Sequence, residues 1–293
     1  AFENGINFFD TAEGYGNGES ERALGVALKK SGKKRSEYVI ASKVNDSNLE
    51  PAKIEEAIGR TLKNLDTDYL DLYQVHWPNH SVPIKDTMAT LKKLQEQGKI
   101  KAIGVSNFGV LDTRDAAATG TTIVSNQLIY NLVTRTIEGP IMDENKKNNI
   151  GILAYSPLGQ GLLTGKYTSV EDAIKNPGLC RSRHFDKSRS PMCRHEESGC
   201  EKELFSCIAK LKEVAEKLGK TMSQVALAWV LAQDNVISVI AGASRAEHIG
   251  ANCDAVKIVL DKETLGQLNE SSEAVKKALG DNPDLWNKTT RYR

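Results

Sequence analysis

Charge of one sign, long apolar runs and aromatic side chains are all scarce in this chain of 293 residues. Its 39 basic and 38 acidic side chains leave a formal charge of +1, which gives no electrostatic footprint for wrapping nucleic acid or lying on an anionic membrane. Aromatic residues make up only 6% of the chain, too few for a stacking platform along a polymer. No segment approaches the roughly 20 consecutive apolar residues of a membrane span, and the start lacks a charged stretch followed by an apolar core. The expectation is a cytoplasmic protein with neither nucleic acid nor membrane as partner. Five cysteines are an odd number in a chain long enough to bury its own core, which argues for a reducing compartment rather than a disulfide framework.

What the chain does contain is a rhythm. Apolar runs of strand length recur at 6–12 (INFFDTA), 38–43 (YVIASK), 69–76 (YLDLYQVH), 101–107 (KAIGVSN), 122–127 (TIVSNQ), 151–156 (GILAYS) and 237–244 (ISVIAGAS). Their near-continuous apolar character, rather than strict alternation, predicts strands buried on both faces of a parallel sheet. Between them lie amphipathic patterns at 20–30, 51–65, 85–97, 109–118, 138–148 and 202–218. Strand and helix in alternation predict right-handed βαβ units.

The polar ends of the first three runs, Asp10, Lys43 and His76, are spaced 33 and 33 residues apart, the length of one βα unit. The expected fold is an α/β (β/α)8 TIM barrel as one domain over 1–293. Seven of eight strands are visible, and Ala1 to Asn4 read as the tail of a helix stopped by Gly5, so the first strand is expected to be missing from the chain. Residues 157–200, rich in Gly, Ser, Pro and Arg, form a connection far longer than the usual few residues, which predicts a functional or poorly ordered segment. Beyond the last strand, 261–279 reads as a helix capped by Asp261, followed by a polar tail to residue 293.

Because polar residues follow their strands, they converge on one mouth, where parallel α/β folds place their chemistry. An acid (Asp10), a phenol (Tyr15), an amine (Lys43) and an imidazole (His76) meet there. The carboxylate keeps the ammonium charged, and an ammonium beside a phenol stabilises its anion, so the phenol becomes a usable proton donor. His76 is placed to hydrogen-bond a substrate oxygen. The set suits protonation of a developing alkoxide.

The motifs FFDTAEGYG, ASK, QVHWP, GVSNF, NQLIYN, AYSPLGQGLLTGKY and VIAGASR resemble, in order and spacing, those of the aldo-keto reductases. That resemblance implies that Asp10, Tyr15, Lys43 and His76 form a catalytic tetrad with Tyr15 as general acid toward a small-molecule aldehyde or ketone. It implies NADP(H) as cofactor. Ser106, Asn107 and Gln127 would hold the nicotinamide carboxamide, and Tyr155 would carry the nicotinamide ring. Ser156, Leu158, Gly159, Gln160, Gly161 and Leu162 would run over the pyrophosphate, Gly242, Ala243, Ser244 and Arg245 would receive the 2′-phosphate, and Asn252 would touch adenine. Backbone N–H groups ahead of a helix at Ala246, with the Arg245 guanidinium, suit a phosphate, so NADPH is favoured over NADH. Two positions depart from the family's pattern: His248, implied to bind the adenosine side of the cofactor, stands where Arg or Gln is usual, and Ala251 where Glu is usual. The resemblance also extends to the potassium-channel β subunits that share the fold, which keeps open a cofactor-binding regulatory subunit of weak turnover.

Other signals carry less. Gly14, Gly16 and Gly18 do not match the dinucleotide spacing and read as turn glycines. Cys180, His184, Cys193, His195, Cys200 and Cys207 fall at spacings that fit no structural zinc site, so no metal is expected. Arg181, Arg183, Lys187, Arg189 and Arg194 make the long connection basic, either as a solvated loop or to recruit anionic substrates. Glu138 and Asp143 are expected in a polar helix with no role.

Overall fold

Each apolar run becomes a strand, and the strands lie in one sheet in chain order. The computed structural model describes residues 1–293. The strands are β1 (Phe8–Asp10), β2 (Val39–Val44), β3 (Leu70–Val75), β4 (Ile100–Ser106), β5 (Ile123–Ile129), β6 (Gly151–Tyr155) and β7 (Val236–Ile240), ordered from β1 to β7. Pairing from β1 through β5 is parallel. The helices are α1 (Glu19–Lys30), α2 (Pro51–Leu65), α3 (Ile84–Glu96), α4 (Val110–Ala117), α5 (Pro140–Lys147), α6 (Val170–Ala173), α7 (Glu201–Leu218), α8 (Met222–Leu231), α9 (Ala246–Cys253) and α10 (Lys262–Leu279). Strands that each neighbour their chain successor, with helices between, have the topology of the (β/α)8 class, here with seven strands.

The chain forms two compact units, one of Ala1–Gln127 with Asp143–Ile152 and Arg293, the other of Leu128–Met142 with Leu153–Tyr292. The first unit's core is built from Ile40, Ile54, Ile58, Leu70, Tyr73, Met88, Leu91, Ile103 and Phe108, all buried. Helix α2 shows how the sequence produces this. Pro51 starts the helix, where its missing N–H costs nothing, Ile54, Ala57, Ile58 and Leu65 line the buried face, and Asp66 ends it at φ 53°. Register then places polar groups together: Lys43 pairs with Gln74 and Ser106 with Gln127, and the Val44–Val75 pair sets Asn45 beside His76. Side chains alternate along a strand, so Lys43 and Asn45 share one face, and Gln74 and His76 share the matching one.

In the second unit α10 packs on α7, and α7 on α8. Asp261 caps α10 by accepting the Thr264 N–H at 2.8 Å, as the sequence predicts. Three features differ from the sequence reading. Helix α8 lacks an amphipathic period because Val225 through Val230 are all buried, so the pattern search passes over it; only the Thr221–Gln224 capping box marks its start. Helix α5 begins at Pro140, and Glu138 lies outside it. Its carboxylate accepts from Tyr130, from Arg135 at 2.7 and 2.8 Å, and from Lys276 at 2.8 Å. The 157–200 connection is packed rather than loose: it holds α6 and several short turns, and buries Leu162, Leu163, Tyr167, Leu179 and Phe185.

Candidate active site

Lys43 lies completely buried, so its ammonium must find acceptors or lose its charge. It has three N–H bonds and meets three acceptors: Asp10 Oδ1 at 2.5 Å, the Thr11 carbonyl at 2.9 Å and Tyr15 Oη at 3.5 Å. Asp10 ends β1, and Tyr15 stands in the loop that follows, where Gly18 enters α1 at φ 85°. The other carboxylate oxygen, Asp10 Oδ2, accepts from Gln127 Nε2 at 2.9 Å and Gln74 Nε2 at 3.2 Å. The pair is therefore fixed at both ends by hydrogen bonds, the condition under which a buried ion pair is tolerated. Tyr15 remains 43% exposed, with its oxygen 3.5 Å from the ammonium.

His76 follows β3, its N–H held by the Val44 carbonyl at 2.9 Å. Its ring stands edge-on to Tyr15, centroids 5.6 Å apart at 78°, and its Nδ1 lies 3.4 Å from Asn45 Oδ1. Burial, with the Lys43 charge nearby, pushes the imidazole down to about 4, so it is neutral at ordinary pH. Asp10, Tyr15, Lys43 and His76 are thus brought together: a phenol tied to a buried ammonium, beside a neutral imidazole. Such a group can hand a proton to an oxygen on which charge develops.

Ser106, Asn107 and Gln127 belong to the same cluster. Ser106 Oγ donates to the Gln127 carbonyl at 2.8 Å, and Asn107, at φ 61°, donates its amide to Ser106 Oγ at 3.1 Å and to the His76 carbonyl at 3.0 Å. Gln127 spends its side-chain amide on Asp10. Two residues of this cluster escape a reading of strand ends: Gln74, an amide inside a strand, and Asn45, two positions after Lys43. The first is detectable as the one amide in LDLYQV, but its partner depends on register.

The second unit holds the remaining residues. Tyr155 ends β6 half-buried, parallel to Trp286 of the tail with centroids 6.4 Å apart at 11°; no sequence signal marked Trp286. After Ser156 (φ 51°) and Leu158, three successive left-handed residues, Gly159 (φ 56°), Gln160 (φ 55°) and Gly161 (φ 100°), turn the backbone sharply before buried Leu162. Gly242, Ala243, Ser244 and Arg245 are exposed ahead of α9. His248 bonds both Arg245 Nη2 (3.2 Å, at Nε2) and Ser244 Oγ (3.4 Å, at Nδ1). Asn252 lies one turn further along α9.

The remaining clusters serve structure. Arg183 is buried and donates to the Leu279 carbonyl at 2.6 Å and the Asn282 carbonyl at 2.8 Å, closing the end of α10 rather than facing a ligand. His184 Nε2 donates to the Val133 carbonyl at 2.7 Å. Burial pushes the thiols of Cys180, Cys200 and Cys207 up to about 11, 12 and 11. No group of three His, Cys, Asp or Glu side chains is placed to hold a metal ion, and no helix is long and apolar enough to cross a membrane.

A sheet of this topology, with polar residues gathered at the C-terminal ends of its strands, defines an α/β barrel enzyme class. The family model described as the aldo/keto reductase family matches residues 1–273, and the chain belongs to that family of oxidoreductases. It is 36% identical to the aldo-keto reductase YhdN of Bacillus subtilis over 92% of this chain and 80% of that protein. It is 31% identical to an NADH-specific methylglyoxal reductase of Escherichia coli (93% and 85%), and 32% identical to a putative voltage-gated potassium channel subunit beta of Schizosaccharomyces pombe (92% and 81%). Among solved structures, an aldo-keto reductase from Klebsiella pneumoniae in complex with NADPH superposes with a TM-score of 0.71 at 28% identity, covering 98% of this chain and 84% of that one.

Proposed function

We propose that residues 1–293 act as one catalytic domain, an NADPH-dependent reductase of small aldehydes or ketones in the cytoplasm, with Tyr15 as general acid. The observation that carries this reading is the buried Lys43 ammonium, whose third N–H has only the Tyr15 oxygen to meet. NADPH, when bound, supplies the hydride to the carbonyl carbon. Tyr15 gives its proton to the carbonyl oxygen, and the ammonium stabilises the phenolate left behind. Tyr15 is 43% exposed, which lets water return the proton.

Ser106, Asn107 and Gln127 would hold the carboxamide of the cofactor and Tyr155 its ring. The left-handed turn at Gly159–Gly161 would follow the pyrophosphate. Exposed Ser244 and Arg245, oriented by His248, fit a 2′-phosphate by charge and geometry, which supports NADPH over NADH even though one relative is named NADH-specific. The test is loss of reduced-cofactor absorbance with a panel of aldehydes and ketones, run in parallel with NADPH and NADH. Turnover with NADPH supports the reading; none with either cofactor sinks it. The relative named as a channel subunit favours a second reading, a regulatory subunit that binds cofactor but turns over weakly. Capture of a channel by the purified chain, together with negligible reduction, would establish that reading instead.

A further inference from the structure

Helix α4 opens without a side chain to cap it. Its N-cap residue is Gly109, so the first N–H groups, which a Ser, Thr, Asn or Asp would ordinarily bind, need another acceptor. The main-chain oxygen of Arg293 fills that place, accepting from the Leu111 N–H at 2.8 Å and the Asp112 N–H at 3.2 Å. Arg293 belongs to the same compact unit as α4. Its own N–H donates to Asp112 Oδ2 at 2.7 Å, and its guanidinium pairs with Asp112 Oδ1 at 3.5 Å and with Asp115. Gly109 leaves the room for this, because a Cβ there would come within 3 Å of both the nitrogen and the oxygen of Arg293.

Asp112 links this seat to the residues proposed for the cofactor. Its side chain is 2% exposed, and besides Arg293 it accepts from the Gly109 N–H at 3.2 Å and meets His80 Nε2 at 2.9 Å. Gly109 ends the loop after β4, two residues beyond Asn107, which stands at φ 61°. A non-glycine residue in that conformation is strained and keeps it only while its surroundings hold it. The Gln127 carbonyl and the Asn126 amide hold the loop at Asn107 and Phe108; Asp112 holds it at Gly109.

We propose that Arg293 is a positioning residue: seated on the first turn of α4 it fixes Asp112, and through Asp112 the loop that presents Asn107 to the nicotinamide carboxamide. The proposal rests on the cofactor reading above. The Arg293 side chain is 47% exposed, so its ion pairs contribute little, and the main-chain bonds carry the seat. Losing the seat weakens the hold on the cofactor and leaves proton transfer to Tyr15.

The test is hydrogen–deuterium exchange of the full chain, read by mass spectrometry on peptides spanning residues 106–118, beside NADPH affinity from fluorescence. Gly109 has φ −80°, which alanine adopts freely, so Gly109→Ala acts by displacing Arg293. Gly109→Ser displaces it too but brings a hydroxyl that can cap α4. Gly109→Ala should quicken exchange in this segment, and both variants should weaken NADPH binding roughly 3- to 10-fold, the span of one ordinary hydrogen bond. Arg293→Ala should weaken it less than either. In all three the single-turnover rate at saturating NADPH should fall less than the affinity does. Unchanged exchange in Gly109→Ala, NADPH affinity within twofold of wild type, or affinity restored in Gly109→Ser overturns the proposal while the cofactor reading stands. A wild type that binds no NADPH overturns the cofactor reading and the positioning role with it.

Discussion

Removing one member of the Lys43–Asp10 pair should harm the protein more than removing both. At 2.5 Å the gross attraction is about 7 kcal/mol for an effective dielectric near 20, but taking two ions out of water costs several kcal/mol each. The net worth of the pair is therefore small, while a single substitution strands its partner. Lys43→Met leaves the Asp10 carboxylate with only the Gln74 and Gln127 amides; Asp10→Asn leaves the buried ammonium with neutral acceptors alone, the Thr11 carbonyl, Tyr15 Oη and the new amide's oxygen. Each should cost about 3–5 kcal/mol in urea unfolding, and the double variant about 0–2 kcal/mol relative to wild type. Coupling between the two sites would then be several kcal/mol. Additive single-variant effects, giving a double variant destabilised by the sum, would refute the claim that the pair is a buried ion pair held by its neighbours.

Three further outcomes follow from the geometry. Burial lowers both His76 and His184 to about 4, so between about pH 4 and the ordinary histidine value near 6.5 the unfolded chain binds more protons than the folded one. Stability should therefore rise with pH through that window, and His184→Gln should reduce the slope by up to about one proton in denaturation followed across pH. Arg183→Met leaves the Leu279 and Asn282 carbonyls unpaired and should cost about 2–4 kcal/mol; Arg189→Met, whose side chain is 40% exposed in its pair with Glu201, should cost less than about 1 kcal/mol. Gln74→Leu removes a buried amide from a charged carboxylate and should cost about 1.5–3 kcal/mol, read as a lowered denaturation midpoint at unchanged m-value.

The features legible in the sequence are those with a local cause. A polar residue that ends an apolar run marks a strand terminus, so Asp10, Lys43 and His76 could be found without the structure, as could the Asp261 cap and the turn at Gly5. What was not legible depends on contacts distant along the chain. Gln74 matters because parallel register sets it beside Lys43, and Asn45 because it meets His76 across two strand ends. Arg183 reads as one of several loop cations until the end of α10 is seen closing over it. Glu138 reads as a helix-surface carboxylate until it is seen accepting from Tyr130, Arg135 and Lys276. Helix α8 is hidden for the opposite reason: buried all round, it shows no period for a pattern search to catch.

The central claim is that Tyr15, hydrogen-bonded by Lys43, is the proton donor. Its most direct test is the single-turnover rate of carbonyl reduction by Tyr15→Phe with NADPH bound, measured by stopped-flow beside NADPH affinity from fluorescence. The account predicts a loss of about 10²- to 10⁴-fold in rate with cofactor affinity retained. A Tyr15→Phe rate within a few-fold of wild type would contradict it.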